Sequence, residues 1–129
     1  MREERAEIAE SLAEIDRMVH EPARLGILTV LASCELADFL FLERVTGLTR
    51  GNLSVQLTRL EEAGLIEIRK TIERRRTLTT ASLRDRGQRA LDAYWTQMEA
   101  LREMTHTSPR RAKPTRTSGV PGRVAPARG

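Results

Sequence analysis

The sequence predicts a mainly α-helical fold with a small β-hairpin, arranged as a winged helix-turn-helix with flanking helices at both ends. Two short helical segments meet at Gly47-Leu48, and an arginine-rich hairpin and a final helix follow them. Gly47 can adopt the left-handed conformation that ends one helix, and Thr49 can cap the start of the next. A turn this short fixes the angle between the two helices, so the second helix can project from the surface.

The N-terminal segment, from residue 2 to about residue 19, is predicted to be one amphipathic helix. Its apolar residues are Ile8, Leu12, Ile15 and Val19, at spacings of four, three and four. This spacing places them on a single stripe, with glutamate and arginine on the other faces. We expect the stripe to be buried against another element or a second copy of the chain.

The helix that follows is predicted to begin at Pro22, because proline suits a first helical turn. Its leucine and isoleucine content through Ser33 indicates a mostly buried helix. Residues 35–37 allow only a short strand, and Asp38 is the predicted cap of the next helix.

The helix after Thr49 has an apolar face and a polar face. Leu53, Leu57 and Leu60 recur at helical spacing and are predicted to face inward, and Gly64 ends the helix. The opposite side carries Gly51, Asn52, Val55, Thr58 and Arg59, with Gln56 at its edge.

A hairpin is predicted from two segments rich in β-branched residues, 65–69 and 76–83. Their connection around Glu73, Arg74 and Arg75 lacks glycine and asparagine, so the turn type stays open. Asp85 is the predicted cap of the last helix. We expect residues 1–106 to form one domain and residues 107–129, dominated by Pro, Gly, Thr, Ser and Arg, to be a disordered basic tail.

Charge is distributed unevenly along the 129 residues, whose net charge is +4. Residues 1–43 contain four basic and ten acidic residues, whereas residues 44–89 contain eleven basic and five acidic ones. The tail adds six basic residues and no acidic residue. Positive charge therefore collects on the helix-turn-helix and hairpin, where a nucleic-acid-binding protein needs it, and on the tail.

Several classes of function are disfavoured by the composition. The single cysteine, Cys34, excludes an intramolecular disulfide and disfavours a thiolate metal site. His20 and His106 neighbour no plausible nucleophile or metal-ligand cluster, and His20 is better explained as a packing residue. The charged N-terminus shows no signal peptide, and the longest apolar run, 27–34, is too short to cross a bilayer. We therefore expect a cytoplasmic protein that is not an enzyme and has no metal, cofactor or membrane partner.

The polar face of the helix at 50–63 is predicted to contact double-stranded DNA in the major groove. Asn52 and Gln56 can each exchange paired hydrogen bonds with an adenine edge. The hydroxyls of Thr49 and Ser54 suit phosphate oxygens near the helix start. The other predicted contacts are Arg50 and Arg59, to guanine or phosphate, and Val55, to a thymine methyl group.

The hairpin, or wing, is the second predicted DNA contact. Arg74, Arg75 and Arg76 lie at its tip, with Arg69 and Lys70 at its base. Arginines in this position suit a minor groove or its flanking phosphates. Protection of a strand edge against aggregation is the alternative, and it accounts less well for three consecutive arginines.

With these features in place, the chain resembles small winged-helix transcriptional regulators of the MarR/ArsR-like superfamily, the compact type with one winged helix between dimerisation helices. The resemblance covers roughly residues 14–104, and stretches 20–28, 37–39, 46–54 and 57–66 carry it, including the run Gly-Asn-Leu-Ser at 51–54. It implies that the helix opening at Thr49 enters the major groove and the hairpin touches the minor groove. The sequence departs from the family at Gln56, where relatives often have histidine, and at Arg84-Asp85, which replace a usual threonine.

The resemblance also implies a homodimer, in which the first and last helices pair across a two-fold axis. The stripe on the first helix needs a partner surface, and each large apolar side chain that it buries contributes about 1.5–3 kcal/mol. The predicted interface residues are Ile8, Leu12, Ile15, Leu91, Trp95 and Met98.

The sequence thus predicts a homodimeric, sequence-specific regulator of transcription. Two alternatives stay open: a protein-interaction module that docks through the acidic first helix, and non-specific nucleoid binding led by the basic tail. The salt dependence and sequence dependence of DNA binding distinguish them. The sequence leaves open the operator, the existence of a small-molecule effector, and the choice between activation and repression.

Overall fold

The computed structural model describes residues 2–105, 111 and 114, with side chains from residue 7 onward. In this part of the chain, five helices surround a three-stranded antiparallel sheet of order β1-β3-β2. The predicted tail lies outside the described residues except for 111 and 114. The predicted fold class is confirmed. The elements are α1 (Arg2–Glu14), α2 (Pro22–Ala32), β1 (Ala37–Asp38), α3 (Phe39–Thr46), α4 (Arg50–Glu62), β2 (Ile66–Glu73), β3 (Arg76–Leu83) and α5 (Asp85–Glu103).

The hydrophobic core lies where α2, α3, α4 and the sheet meet. Ile27, Leu28 and Leu31 of α2 are buried, but four of its eleven residues are buried in all, so the helix buries one face rather than most of its length. Leu53 and Leu60 of α4 are fully buried as well, and Leu57 nearly so, so the predicted inward face of α4 is confirmed. These leucines pack α4 against the core, so most of its polar side stays exposed to solvent.

The turn between α3 and α4 has the predicted geometry. Gly47 ends α3 with a φ of 73°, in the left-handed region. The hydroxyl of Thr49 accepts a hydrogen bond from the backbone N–H of Asn52 at 3.1 Å, so Thr49 caps α4. Asp38 caps α3 in the same way through the N–H of Phe41, at 2.8 Å. These local caps are specified by sequence and need no distant partner.

The first helix is shorter than predicted, ending at Glu14 rather than near Val19. The Asp16 carboxylate accepts the N–H of Met18 at 2.9 Å. The Asp16 carbonyl accepts the N–H groups of Val19 and His20 at 3.1 and 2.8 Å, so the chain turns here. An aspartate that bonds neighbouring backbone groups competes with helix propagation. The predicted stripe is therefore divided, and Val19 lies in the core of the same chain.

The predicted capping role of Asp85 is wrong. The N-cap position of α5 is Arg84, whose side chain makes no capping hydrogen bond, and Asp85 is the first helical residue. There its carboxylate still lies at the positive end of the helix dipole. The chain is instead fixed by the N–H of Arg84, which donates to the carbonyl of Leu65 at 2.9 Å. At Gly87 a Cβ would lie 2.1 Å from the same carbonyl oxygen, so this close approach requires glycine.

The wing is a two-residue hairpin, which settles the open question of its turn type. β2 pairs with β3 from Ile66↔Leu83 to Glu73↔Arg76. The two loop residues, Arg74 and Arg75, have φ values of 51° and 67°. Left-handed conformation at both positions is the pattern of a type I′ turn, which normally carries asparagine and glycine. For arginine it costs roughly 1–2 kcal/mol per residue.

Candidate nucleic-acid interface

The polar side of α4 is exposed, as predicted. Leucines hold the helix from behind, so the side chains on the other side extend from the domain surface. Thr49 precedes the helix and lies at the same exposed end. The predicted contact residues that are exposed here are Thr49, Arg50, Asn52, Ser54, Val55 and Arg59.

Arg50 lies near the start of α4, where its Nε is 3.7 Å from Oε1 of Glu43 on α3. The arginine side chain is 72% exposed, so water screens this ion pair and it contributes little to stability. The guanidinium is therefore free to exchange Glu43 for a phosphate or a base edge.

Gln56 differs from its predicted environment. A base contact from the polar side of α4 implies that the Gln56 side chain faces solvent in the free protein, but the residue is only 8% exposed, so that expectation is wrong. Its Oε1 accepts a hydrogen bond from Nη1 of Arg24 at 2.8 Å. Its Nε2 donates to Oδ1 of Asn52 at 3.0 Å. The predicted base contact by Gln56 stays a prediction, and it would require the amide to leave Arg24.

Arg24 is a buried residue that our sequence analysis missed. It is 9% exposed, and its Nε donates to the carbonyl of Met18 at 2.7 Å. The sequence did contain a signal: Arg24 precedes Ile27, Leu28 and Leu31 by three, four and seven residues, so it shares the buried face of α2. An arginine on such a face requires internal acceptors, and Gln56 supplies one.

The predicted basic residues of the wing are all exposed. Arg69 pairs with Glu67 at 3.1 Å on β2, in an exposed ion pair. Beside the tip, Ile72 is 78% exposed, which the alternating pattern of the strand did not indicate. A groove connects the two candidate surfaces, since Arg50 of α4 and residues 77–79 of β3 line it together. The exposed basic positions on the wing are Arg69, Lys70, Arg74, Arg75 and Arg76.

The flanking helices α1 and α5 pack against each other, and Nε2 of Gln97 donates to the carbonyl of Glu14 at 2.7 Å. Of the predicted interface residues, three are exposed, namely Ile8, Leu12 and Trp95, and Ile15 and Met98 are half-buried. Leu91 is 4% exposed within its own chain. The core of the protomer already covers most of this side chain, and its assignment to a dimer interface stays a prediction.

His20 contacts Tyr94 of α5. Nδ1 of His20 lies 2.8 Å from the hydroxyl of Tyr94, and the two rings pack at 5.6 Å, so the predicted packing role of His20 is confirmed. Among the described residues, no three histidine, cysteine or acidic side chains are grouped to hold a metal ion. No helix within the same residues is long and apolar enough to span a bilayer.

Comparisons with known proteins agree with this arrangement. The model of the winged helix DNA-binding domain family matches residues 23–102, which is more than half of the chain. An uncharacterised protein of Methanocaldococcus jannaschii is 31% identical over 78 residues, covering 60% of this chain and 85% of that protein.

Solved structures show the same fold. The structure of a transcriptional regulator homologue from Pyrococcus horikoshii is similar, with a TM-score of 0.71 and 29% identity over 76% of this chain and 99% of that one. A MarR-family transcriptional regulator from Silicibacter pomeroyi has a TM-score of 0.55 and 21% identity, over 75% of this chain and 64% of that chain.

The fold and its exposed basic surface therefore define a DNA-binding protein of the winged-helix class. The chain belongs to the winged helix DNA-binding domain family.

Proposed function

We propose that the protein is a sequence-specific transcriptional regulator that binds double-stranded DNA in the cytoplasm as a homodimer. In this proposal α4 enters the major groove and the wing lies at the minor groove. α4 supplies base and phosphate contacts through Thr49, Arg50, Asn52, Ser54, Val55 and Arg59, and the wing supplies Arg69, Lys70, Arg74, Arg75 and Arg76.

The conformation of the wing tip carries the proposal. Arg74 and Arg75 occupy two left-handed positions at which stability alone favours asparagine and glycine. Backbone strain of this kind is typical of functional sites. Positive charge at the end of a hairpin is what a phosphate-rich groove requires. Arg50 and residues 77–79 line one groove, so the start of α4 lies beside the strand that leads away from this tip, which supports a shared DNA-binding surface.

The homodimer is supported by the apolar side chains that the protomer leaves uncovered on α1 and α5. Leu12 is 54% exposed and Trp95 48% exposed, on two helices that pack together. A glutamate in place of Leu12 would introduce charge at this surface without disturbing the core. We expect Leu12→Glu to sediment as a monomer that binds DNA more weakly, whereas the exposed control Ala100→Glu stays dimeric. An unchanged dimer for Leu12→Glu contradicts this interface.

Selection of bound sequences from a random duplex pool tests the proposed function. We expect a two-fold-related consensus, because a symmetric dimer reads two half-sites. A chain truncated after residue 106 should select the same consensus and lose affinity for consensus and random DNA by similar factors. Its slope of log affinity against log salt should flatten by about one unit for each lost phosphate contact.

The alternatives predict different results from the same selection. Non-specific binding led by the tail yields no consensus and is lost on truncation. A protein-interaction module binds no duplex at any salt concentration. Either result would reject the proposed function.

A further inference from the structure

We propose that Arg24 determines which end of the Asn52 side-chain amide faces DNA, and so which bases Asn52 selects. The inference rests on the proposed function, since it specifies how α4 would recognise sequence. It follows from a chain of hydrogen bonds that begins at a buried cation and ends on the exposed side of α4. The members of this chain, here called the amide relay, are Arg24, Gln56 and Asn52.

The first step is the orientation of Gln56. Arg24 is anchored below α4, since its Nε donates to the carbonyl of Met18 at 2.7 Å and its Nη2 to that of Arg17 at 3.3 Å. Its Nη1 faces Gln56 at 2.8 Å, in a buried position. A guanidinium has five donors and no acceptor. The Gln56 atom at this position must be the oxygen, because the opposite orientation would set an NH₂ group against a buried positive charge.

The second step transfers this orientation to Asn52. With Oε1 held by Arg24, the NH₂ group of Gln56 faces Asn52 and donates to its Oδ1 at 3.0 Å. Asn52 can meet that donor only with its own oxygen. Its Nδ2 has no hydrogen-bond partner within residues 2–105, and the residue is exposed on α4. Asn52 therefore turns its donor toward DNA, while its oxygen is turned toward Gln56.

This arrangement changes the base preference expected from the residue type. Paired recognition of adenine needs the donor and the acceptor of asparagine to face the base together, whereas Gln56 holds Oδ1 of Asn52 toward the protein and occupies one of its two lone pairs. A donor alone selects the acceptors of the major groove, which are N7 and O6 of guanine, N7 of adenine and O4 of thymine. The amide relay thus predicts that Asn52 donates to a base that presents an acceptor in the major groove. Arg24 and Gln56 act as positioning residues for this selection.

The buried anchor distinguishes the relay from an ordinary helical pair. Gln88 and Asp92 of α5 have the same spacing as Asn52 and Gln56 and a 3.0 Å hydrogen bond, but the pair is exposed. Nothing buried orients that amide, so it can rotate in solvent. Gln88 is therefore a matched control for a substitution at Gln56.

Gln56→Glu is the decisive variant, because a carboxylate still accepts from Arg24 but cannot donate to Asn52. The Asn52 amide should then rotate, donate Nδ2 to the carboxylate and present Oδ1 to DNA. In selection from a random pool, the preferred base at one position of each half-site should change. A base that presents an acceptor should be replaced by one that presents a donor, such as N4 of cytosine or N6 of adenine. We expect a change in relative affinity of about 5- to 150-fold at that pair. Gln88→Glu, with the same added charge, should keep the original preference.

A uniform loss of affinity from the added charge does not affect this comparison, because the preference is a ratio between bases. If Gln56→Glu selects the same base at every position as the unmodified protein, the relay does not determine specificity and the inference is wrong.

A second measurement needs neither DNA nor a variant. In the free protein, the side-chain NH₂ protons of Gln56 should exchange with solvent more slowly by NMR than those of Asn52 and Gln88, since only the Gln56 amide is both buried and hydrogen-bonded. Slower exchange at Asn52 than at Gln56 would show the opposite orientation and overturn the relay. Failure of the unmodified protein to select any sequence would instead reject the proposed function, while the exchange rates still report the orientation.

Discussion

The two surfaces proposed to bind DNA, the exposed side of α4 and the wing, are built in opposite ways. Leu53, Leu57 and Leu60 of α4 pack against the core. Gln56 connects the polar side of the same helix to a buried arginine, Arg24. The outer wing, residues 69–77, is exposed at every position and held by the strand ladder. A surface fixed to the core can present an amide in one orientation. The wing, which no hydrophobic core supports, can bring positive charge to DNA but has little means of selecting a base.

The largest expected effect tests whether α4 is held by the hydrophobic core and the wing is not. Leu53→Ala should lower the free energy of unfolding by about 2–5 kcal/mol, because it creates a cavity under α4. Ile72→Ala removes a similar apolar group from the wing, where the side chain is already in water, and should change stability by about 0.5 kcal/mol or less. Chemical denaturation of both variants measures the contrast. Equal losses would show that the wing is supported as firmly as α4.

The next effect concerns the strained tip. Replacing Arg74-Arg75 by Asn-Gly supplies the residues that a type I′ turn favours, so the free energy of unfolding should rise by about 1–2 kcal/mol. The same double variant should bind all duplexes more weakly, with the salt slope shallower by about two units. Arg89→Ala, an exposed arginine of α5, serves as a control for the loss of charge. If the double variant gains stability and its DNA affinity is unchanged, the wing tip is not part of the DNA interface.

The smallest effect tests the start of α4. Thr49→Ala removes the acceptor of the Asn52 N–H and should cost about 1 kcal/mol of stability. Thr49→Ser keeps the hydroxyl and should retain most of it. Thermal unfolding compares the two variants. If serine and alanine are equally destabilising, the cap contributes nothing, and the threonine methyl group is what stabilises the turn.

The predictions that succeeded rest on local signals. Gly47, Thr49 and Asp38 bond to backbone groups three or four residues away, so sequence alone specified the turn and the caps. The inward leucines of α4 follow from helical periodicity, and Arg76–Leu83 follows from its β-branched residues. In each case the group contacted is either a backbone group near in sequence or the hydrophobic core as a whole.

The predictions that failed depend on contacts between distant segments. Gln56 is buried because Arg24, 32 residues earlier, faces it from α2. Arg84, and not Asp85, is the N-cap residue of α5, and its N–H donates to the carbonyl of Leu65. Periodicity shows which side of a helix is apolar, but it cannot show which neighbour covers it or which polar group receives a buried donor.

The central claim is that α4 selects sequence and the wing adds charge that is blind to sequence. Titration of Asn52→Ala and Arg75→Ala against the selected duplex and a scrambled one, at several salt concentrations, tests it most directly. Asn52→Ala should lose about 1–3 kcal/mol of binding on the selected duplex and little on the scrambled one, with the salt slope unchanged. Arg75→Ala should weaken both duplexes alike and flatten the slope by about one unit. Equal losses on both duplexes for Asn52→Ala, or discrimination lost in Arg75→Ala, would contradict the account.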